Sequence, residues 1–130
     1  MKKIVALLAI GLSINAFSQT TNLDELQPGE EYDNIYVKKM FSDSLCTSFI
    51  IWIKKEVKAH KHEHHSETIY VLEGKGTMTV GKDTFEIRKG DFFNIPMNTA
   101  HNLKVTSTEA VKVISVQAPL FDGSDRIFIK

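Results

Sequence analysis

His60–Gly74 reads HKHEHHSETIYVLEG, and Lys75–Pro96 continues KGTMTVGKDTFEIRKGDFFNIP. In the second stretch Thr77-Met78-Thr79-Val80 alternates, Gly81-Lys82-Asp83 turns the chain, and Thr84 to Arg88 runs on to a second turn at Gly90-Asp91. Phe92 to Ile95 then forms another short apolar run that stops at Pro96. A period of two, broken by glycine-bearing turns, is the mark of short strands. The pattern extends in both directions. Phe49-Ile50-Ile51-Trp52-Ile53 is almost continuously apolar, as in a strand buried on both faces, while Leu103–Thr106 and Val111–Val116 alternate. Asp122-Gly123 turns the chain before a final Arg126-Ile127-Phe128-Ile129. No segment carries a long helical period. Strands separated by turns every eight to twelve residues or so predict an all-β sandwich or barrel.

The 130 residues are enough for one domain. Met1-Lys2-Lys3 is positive, Ile4 to Leu12 is apolar apart from Gly11, and Ala16-Phe17-Ser18 offers small residues before Gln19. That is the anatomy of a Sec-type signal peptide over residues 1–18. Gly11, Ser13 and Asn15 interrupt the apolar run well short of the roughly 20 residues of a membrane span, so cleavage is expected and stable membrane insertion is not. The expected location is the periplasm of a bacterium or its exterior. Residues 19–34, polar and turn-rich around Pro28-Gly29, read as an irregular N-terminal arm or a short helical turn, and residues 35–130 as the β-domain. Loss of Lys2 and Lys3 reduces the 16 basic side chains to 14 against 16 acidic ones, a formal charge of −2. Such a surface has no electrostatic footprint for nucleic acid or anionic lipid. The single Cys46 has no internal disulfide partner and, leading into an apolar strand, reads as a buried inert thiol.

His60 and His62 are two apart, so an extended chain presents both imidazoles on one face; a helix would favour a spacing of three or four. Glu67 opens the next strand, folded back by the loop 63–66. His101 arrives from elsewhere in the sheet, after a turn in which Asn98 suits a left-handed backbone. Three imidazoles and a carboxylate make a set for a divalent transition metal. A solvated His-rich loop that gathers metal adventitiously is the competing reading, and it accounts for His64 and His65. His64, which shares strand parity with His62, is expected to be exposed. Glu73 reads as a turn residue, and Trp52, Tyr70, Phe85, Phe92 and Phe93 as core. Arg88 and Arg126 are the only arginines, so an arginine clamp for an anionic substrate has few candidates. Phe121–Arg126 reads first as a turn, and less readily as a lid or partner contact.

At these residues the chain resembles the cupin superfamily, small single-domain members above all. The first cupin motif is glycine, five residues, His-x-His, three or four residues, Glu, six residues, Gly. His60-Lys61-His62, Glu67 and Gly74 match it, with Lys54 in place of the leading glycine. The second is glycine, five residues, Pro-x-Gly, two residues, His, three residues, Asn. Gly90, Pro96 and His101 match, with Asn98 in place of the glycine and Val105 in place of the asparagine. A register using His62 and His64 leaves only two residues before Glu67, too few for the motif, and the adventitious loop does not explain Glu67 or His101 at family spacing. The resemblance spans Lys54 to Val105 and implies a jelly-roll barrel, or double-stranded β-helix, over 35–130. It also implies a metal held by His60, His62, Glu67 and His101. The substitutions at Lys54 and Asn98 bear on turn geometry rather than ligation.

An octahedral ion on four protein ligands keeps two adjacent positions open. Iron, manganese and nickel suit the nitrogen-and-oxygen set, with zinc and copper as further options. The resemblance implies an enzyme for a small oxygenated molecule, dioxygenase-like, with Glu67 doubling as a proton acceptor. Isomerisation or ring opening of a sugar acid comes next. A non-catalytic module that binds a metal or small ligand is the alternative from another class. A metal-free nucleotide-sugar epimerase on the same barrel fits less well, because the histidines stand at ligand positions. Pairing through sheet edges into a homodimer is expected from cupins of this size.

Overall fold

Every regular element among the described residues, 20–129 of the computed structural model, is a β-strand. The signal peptide expected over 1–18 lies outside them. In chain order the strands are β1 (Ile35–Ser42), β2 (Thr47–Ile53), β3 (Glu56–Lys61), β4 (Ser66–Glu73), β5 (Lys75–Val80), β6 (Asp83–Arg88), β7 (Phe92–Ile95), β8 (His101–Val105), β9 (Val111–Ala118) and β10 (Ile127–Phe128). They form two five-stranded sheets, ordered β1-β2-β9-β4-β7 and β10-β3-β8-β5-β6. All pairings are antiparallel. From β2 onward the chain passes back and forth between the sheets, which is the winding of a double-stranded β-helix.

Two-residue periodicity decides which side chains meet inside. On β4 Ile69 and Val71 point inward, and on β9 Val111 and Val113 do so. Met78, Ile87, Ile95 and Leu103 meet them from the other strands in one buried cluster. Glu67 shares the parity of Ile69 and Val71, and His101 that of Leu103, so the polar site residues occupy the barrel's apolar face. Gly74, the last residue of the first motif, joins β4 to β5 with φ of 79°. A side chain there would come within 2.7 Å of the Ala110 carbonyl, so only glycine fits.

The apolar run in β2 is buried on both faces, as its sequence implies: Ile50, Trp52 and Ile53 are all buried. Trp52 faces outward, and the N-terminal arm covers that side. Arm and sheet are joined by Lys112, paired in register with Trp52 and only 1 % exposed. Its ammonium donates to the carbonyls of Leu23 (2.6 Å) and Leu26 (2.9 Å) and meets Glu73 Oε1 at 3.0 Å. The arm is irregular, with a turn over residues 23–25, and Glu73 serves as counter-ion to a buried lysine.

Three sequence expectations need correction. Tyr70 and Phe92, cross-strand neighbours, stand on the outer face and are 40 % and 64 % exposed rather than core. Alternation places them opposite Ile69 and Phe93, and composition alone cannot show which face of a sheet is inside. Cys46 lies in the loop before β2 and is half-buried, one residue short of the buried Thr47. His65 is only 9 % exposed and is not part of a solvated loop.

Replacing Lys112 with Met leaves the Leu23 and Leu26 carbonyls without their donor. The expected loss is about 1–3 kcal/mol in urea unfolding, with faster amide exchange over residues 20–27. Unchanged exchange there would show that the arm is held by other contacts.

Candidate metal centre

His60 and His101 are register partners on β3 and β8, which brings their ring centroids to 4.2 Å. His62 lies just beyond the end of β3, with its ring 5.0 Å from His60 and 5.3 Å from His101. One ring nitrogen from each imidazole falls within 4.8 Å of the others, and all three residues are buried. Glu67 reaches across from the other sheet. Its Oε2 is 3.6 Å from Nε2 of both His62 and His101. The four residues read from the sequence therefore meet at one place, with Glu67 against two of the three histidines.

Each imidazole is fixed by a main-chain carbonyl. Nδ1 of His60 donates to Lys58 O (2.8 Å), Nδ1 of His101 to Thr99 O (3.0 Å), and Nδ1 of His62 to Asp125 O. A proton held on Nδ1 leaves the Nε2 lone pair facing inward. Nε2 of His62 and of His101 are both buried with no hydrogen-bond partner among the described residues. Buried polar nitrogens are rarely left so. Converging unpaired imidazole nitrogens beside a carboxylate suit a divalent cation, with the carbonyls as outer support.

Glu67 is held as carefully. Ser115 Oγ donates to its Oε1 at 2.5 Å and Gln117 Nε2 approaches at 3.4 Å. Burial would raise its pKa, but the His62 imidazole beside it, the hydrogen bond from Ser115 and the charges of His101 and His62 bring it below the usual carboxylate range. For His62 burial opposes protonation, yet the Glu67 carboxylate beside it and the hydrogen bond to the Asp125 carbonyl raise the pKa. Burial lowers His101, and it pushes His60 down to about 4.

Asp125, inside a segment that reads as an ordinary turn, organises the histidine loop. Besides its carbonyl bond to His62, its carboxylate accepts from the amides of Glu63 (2.9 Å) and His64 (2.8 Å) and from His65 Nδ1 (2.6 Å). His65 Nε2 donates to Leu120 O (2.9 Å), and Phe121 packs edge-on against both His62 and His65. These bonds hold the Asp125 carboxyl below its usual range although its partial burial works the other way. His64 is exposed, as expected from the sequence. Asn98 has φ of 57°, its amide donates to His62 O (2.6 Å), and its side chain accepts from Lys61 Nζ (2.8 Å).

His60, Glu67 and His101 form the polar end of a cavity of about 90 Å³ inside the barrel. The rest is mostly apolar, including Ile51, Ile53, Met78 and Phe93, so of the five aromatic residues considered from sequence it is Phe93 that lines it. Arg126 stands at its edge and also borders a wider depression of about 400 Å³ with Val37, Lys39, Gln117 and Phe121.

The lowered His60 sets an acid limit on the metal-free protein. The unfolded chain protonates this residue near pH 6.5 and the folded chain near 4, so stability is whole above about 6.5 and falls as pH drops toward 4. His60 alone is expected to cost about 2 kcal/mol at pH 5 relative to pH 7, read as the shift of a urea midpoint under chelator. His60→Gln should flatten that dependence; an equal slope in both proteins would place the titration elsewhere.

The cupin domain family matches residues 49–117. An uncharacterised protein of Methanocaldococcus jannaschii is 25 % identical over 112 residues, covering 81 % of this chain and 90 % of its own length. Quercetin 2,3-dioxygenase of Bacillus subtilis is 31 % identical over 101 residues, 74 % of this chain but only 29 % of that enzyme. A double-stranded β-helix protein from Klebsiella pneumoniae superposes with a TM-score of 0.73 at 16 % identity, covering 88 % of this chain and 99 % of its own. With its motifs, its winding and this match together, the chain belongs to the cupin family.

Proposed function

We propose that this cupin is a metal-dependent enzyme acting on a small oxygenated molecule, with dioxygenase-like chemistry on an enolisable substrate. The observation that carries the proposal is the pair of buried, unpaired Nε2 atoms on His62 and His101, converging with His60 beside Glu67 at the end of an apolar cavity. His60, His62, Glu67 and His101 would hold the ion, and iron, manganese or nickel suit such donors, with zinc and copper as further options. A bound divalent ion would supply Lewis acidity toward a carbonyl or enolate oxygen. The residues do the rest. The carbonyls of Lys58, Thr99 and Asp125 orient the rings, Ser115 and Gln117 orient the carboxylate, and the apolar wall excludes water. Glu67 is the carboxylate available to accept a proton at the cavity wall; its lowered pKa restricts that role to acidic substrate protons.

The apolar lining favours an aromatic or aliphatic enol over a sugar acid, whose hydroxyls would lose water without gaining partners. The similarity to quercetin 2,3-dioxygenase, a protein named for the dioxygenation of quercetin, supports the same reading. A second reading, a binding module without catalysis, is favoured by one observation: the cavity's ionisable groups outside the ligand set reduce, among the described residues, to Arg126. Export directed by residues 1–18 and assembly into a homodimer complete the proposal.

Metal analysis of protein made without a histidine tag is expected to give about one equivalent of a first-row ion, largely lost in His101→Ala. Asp125→Ala, which removes a side chain that contacts none of the four ligands, is expected to weaken metal binding about 10- to 100-fold in a chelator competition. Absence of stoichiometric metal after reconstitution would sink the metalloenzyme reading, and equal metal in parent and His101→Ala would move it to the exposed part of the histidine loop. Oxygen uptake with a panel of enols and phenols is expected from the loaded protein; silence across the panel, together with tight ligand binding, would leave the binding module.

A further inference from the structure

Arg126 is the cationic side chain that lines the inner cavity, and it lines the outer depression as well. The two share Val37, Ile51 and Arg126 in their linings, so they adjoin, with Arg126 between them. The position of Arg126 is set on both sides. Asp125 before it is tied to the histidine loop, and Ile127 and Phe128 after it pair with Lys61 and His60. Arg126 is exposed, and among the described residues its guanidinium has no carboxylate within 4.0 Å and donates no hydrogen bond, so its five N–H groups are open to solvent or to a ligand.

The carboxylates nearby are already engaged. Glu67 is bonded to Ser115, Asp125 to the loop amides, and Asp122 to Ser124 through both its amide and its hydroxyl. Lys39 adds a second positive charge in the outer depression. The guanidinium also acts on the site electrostatically, disfavouring protonation of all three imidazoles. Opposite it, the inner cavity offers hydrocarbon: Ile51, Ile53, Ile69, Met78 and Val113. Its volume of about 90 Å³ is that of roughly three waters at liquid density, enough for a branched chain of a few carbons.

We propose that the inner cavity and the adjoining depression bind a small organic acid, with the carboxylate on the Arg126 guanidinium between them and the hydrocarbon body in the inner cavity. Arg126 is then the residue that selects a monoanion over its neutral analogue, and the buried Gln117 Oε1, unpaired among the described residues, is left for a donor on the ligand or a water in the outer depression. A planar guanidinium holds a carboxylate with two parallel bonds, which lysine cannot reproduce. This assignment rests on the small-molecule reading above, but not on the metal.

The test uses isovalerate and its neutral counterpart isovaleramide, titrated by NMR into the protein as purified and after chelation. The parent is expected to bind the acid at least tenfold more tightly than the amide in both states. After chelation Arg126→Gln should bind the two equally, Arg126→Lys should restore part of the preference, and Arg88→Gln, at the far end of β6, should match the parent. A preference seen only with metal and untouched by Arg126→Gln would overturn the assignment and leave the metal centre as the anion site. No preference, or no binding of the acid at millimolar concentration, would overturn it too. An Arg126-dependent preference in protein that takes up no metal would uphold it while the metalloenzyme reading fell.

Discussion

Placing three imidazoles inside an apolar barrel raises a problem of polar satisfaction, because each ring carries two nitrogens and the surroundings are mostly hydrocarbon. Here the main chain takes one nitrogen from each: Lys58, Thr99 and Asp125 supply the carbonyls. Those bonds select the tautomer, fix the ring planes and aim the remaining lone pairs at a common point. The rest of the structure follows from this requirement. The carbonyls of Lys58 and Thr99 each lie two residues before the histidine they serve, so the strand and turn are built around the ring. The third lies 63 residues away from His62, which explains why the segment after β9 folds back over the barrel.

The same arrangement divides labour between the sheets. β3 and β8 bring imidazoles, β4 brings the carboxylate, and β9 brings the Ser115 hydroxyl and Gln117 amide that hold it. Each of these residues interrupts an otherwise apolar inward row. Glu67 is followed on its face by Ile69 and Val71, and Ser115 and Gln117 by parity continue Val111 and Val113. The barrel thus has an apolar end that supplies cohesion and a polar end where most groups have a specified partner. An unpaired polar atom in such a place is costly, which makes the unpaired Nε2 atoms informative.

Much of this was legible beforehand because strand chemistry is local. Two histidines at a spacing of two, an asparagine where the backbone turns left-handed, and glycine turns between alternating runs all announce themselves over a few residues. Ser115 and Gln117 could have been found, since they are polar residues on the buried parity of Val111–Ala118. Asp125 could not, and Arg126 could be named only as one of two arginines open to an anionic ligand. DGSDR looks like any surface turn, and its role depends on contacts with residues about sixty positions earlier that no local pattern encodes. The outward Tyr70 and Phe92 were misread for a related reason: a sheet's sidedness emerges only when the other sheet is in place. Lys112 shows the same limit from the other direction, since alternation marks it as solvent-facing and a distant arm buries it.

Glu67 faces its imidazole neighbours across the interior rather than along one sheet. The gap between carboxylate and rings is therefore a readout of how far apart the two walls stand, and the walls are spaced by apolar side chains that line the same cavity. Ile87, Met78 and Val113 act as spacers for a pair of jaws. A bulkier or slimmer residue among them would change the bite at Glu67 by fractions of an ångström while every donor kept its identity. Divergence of such a domain can thus retune its chemistry through substitutions that look purely structural, and a survey confined to the polar residues would miss the positions that set the grip.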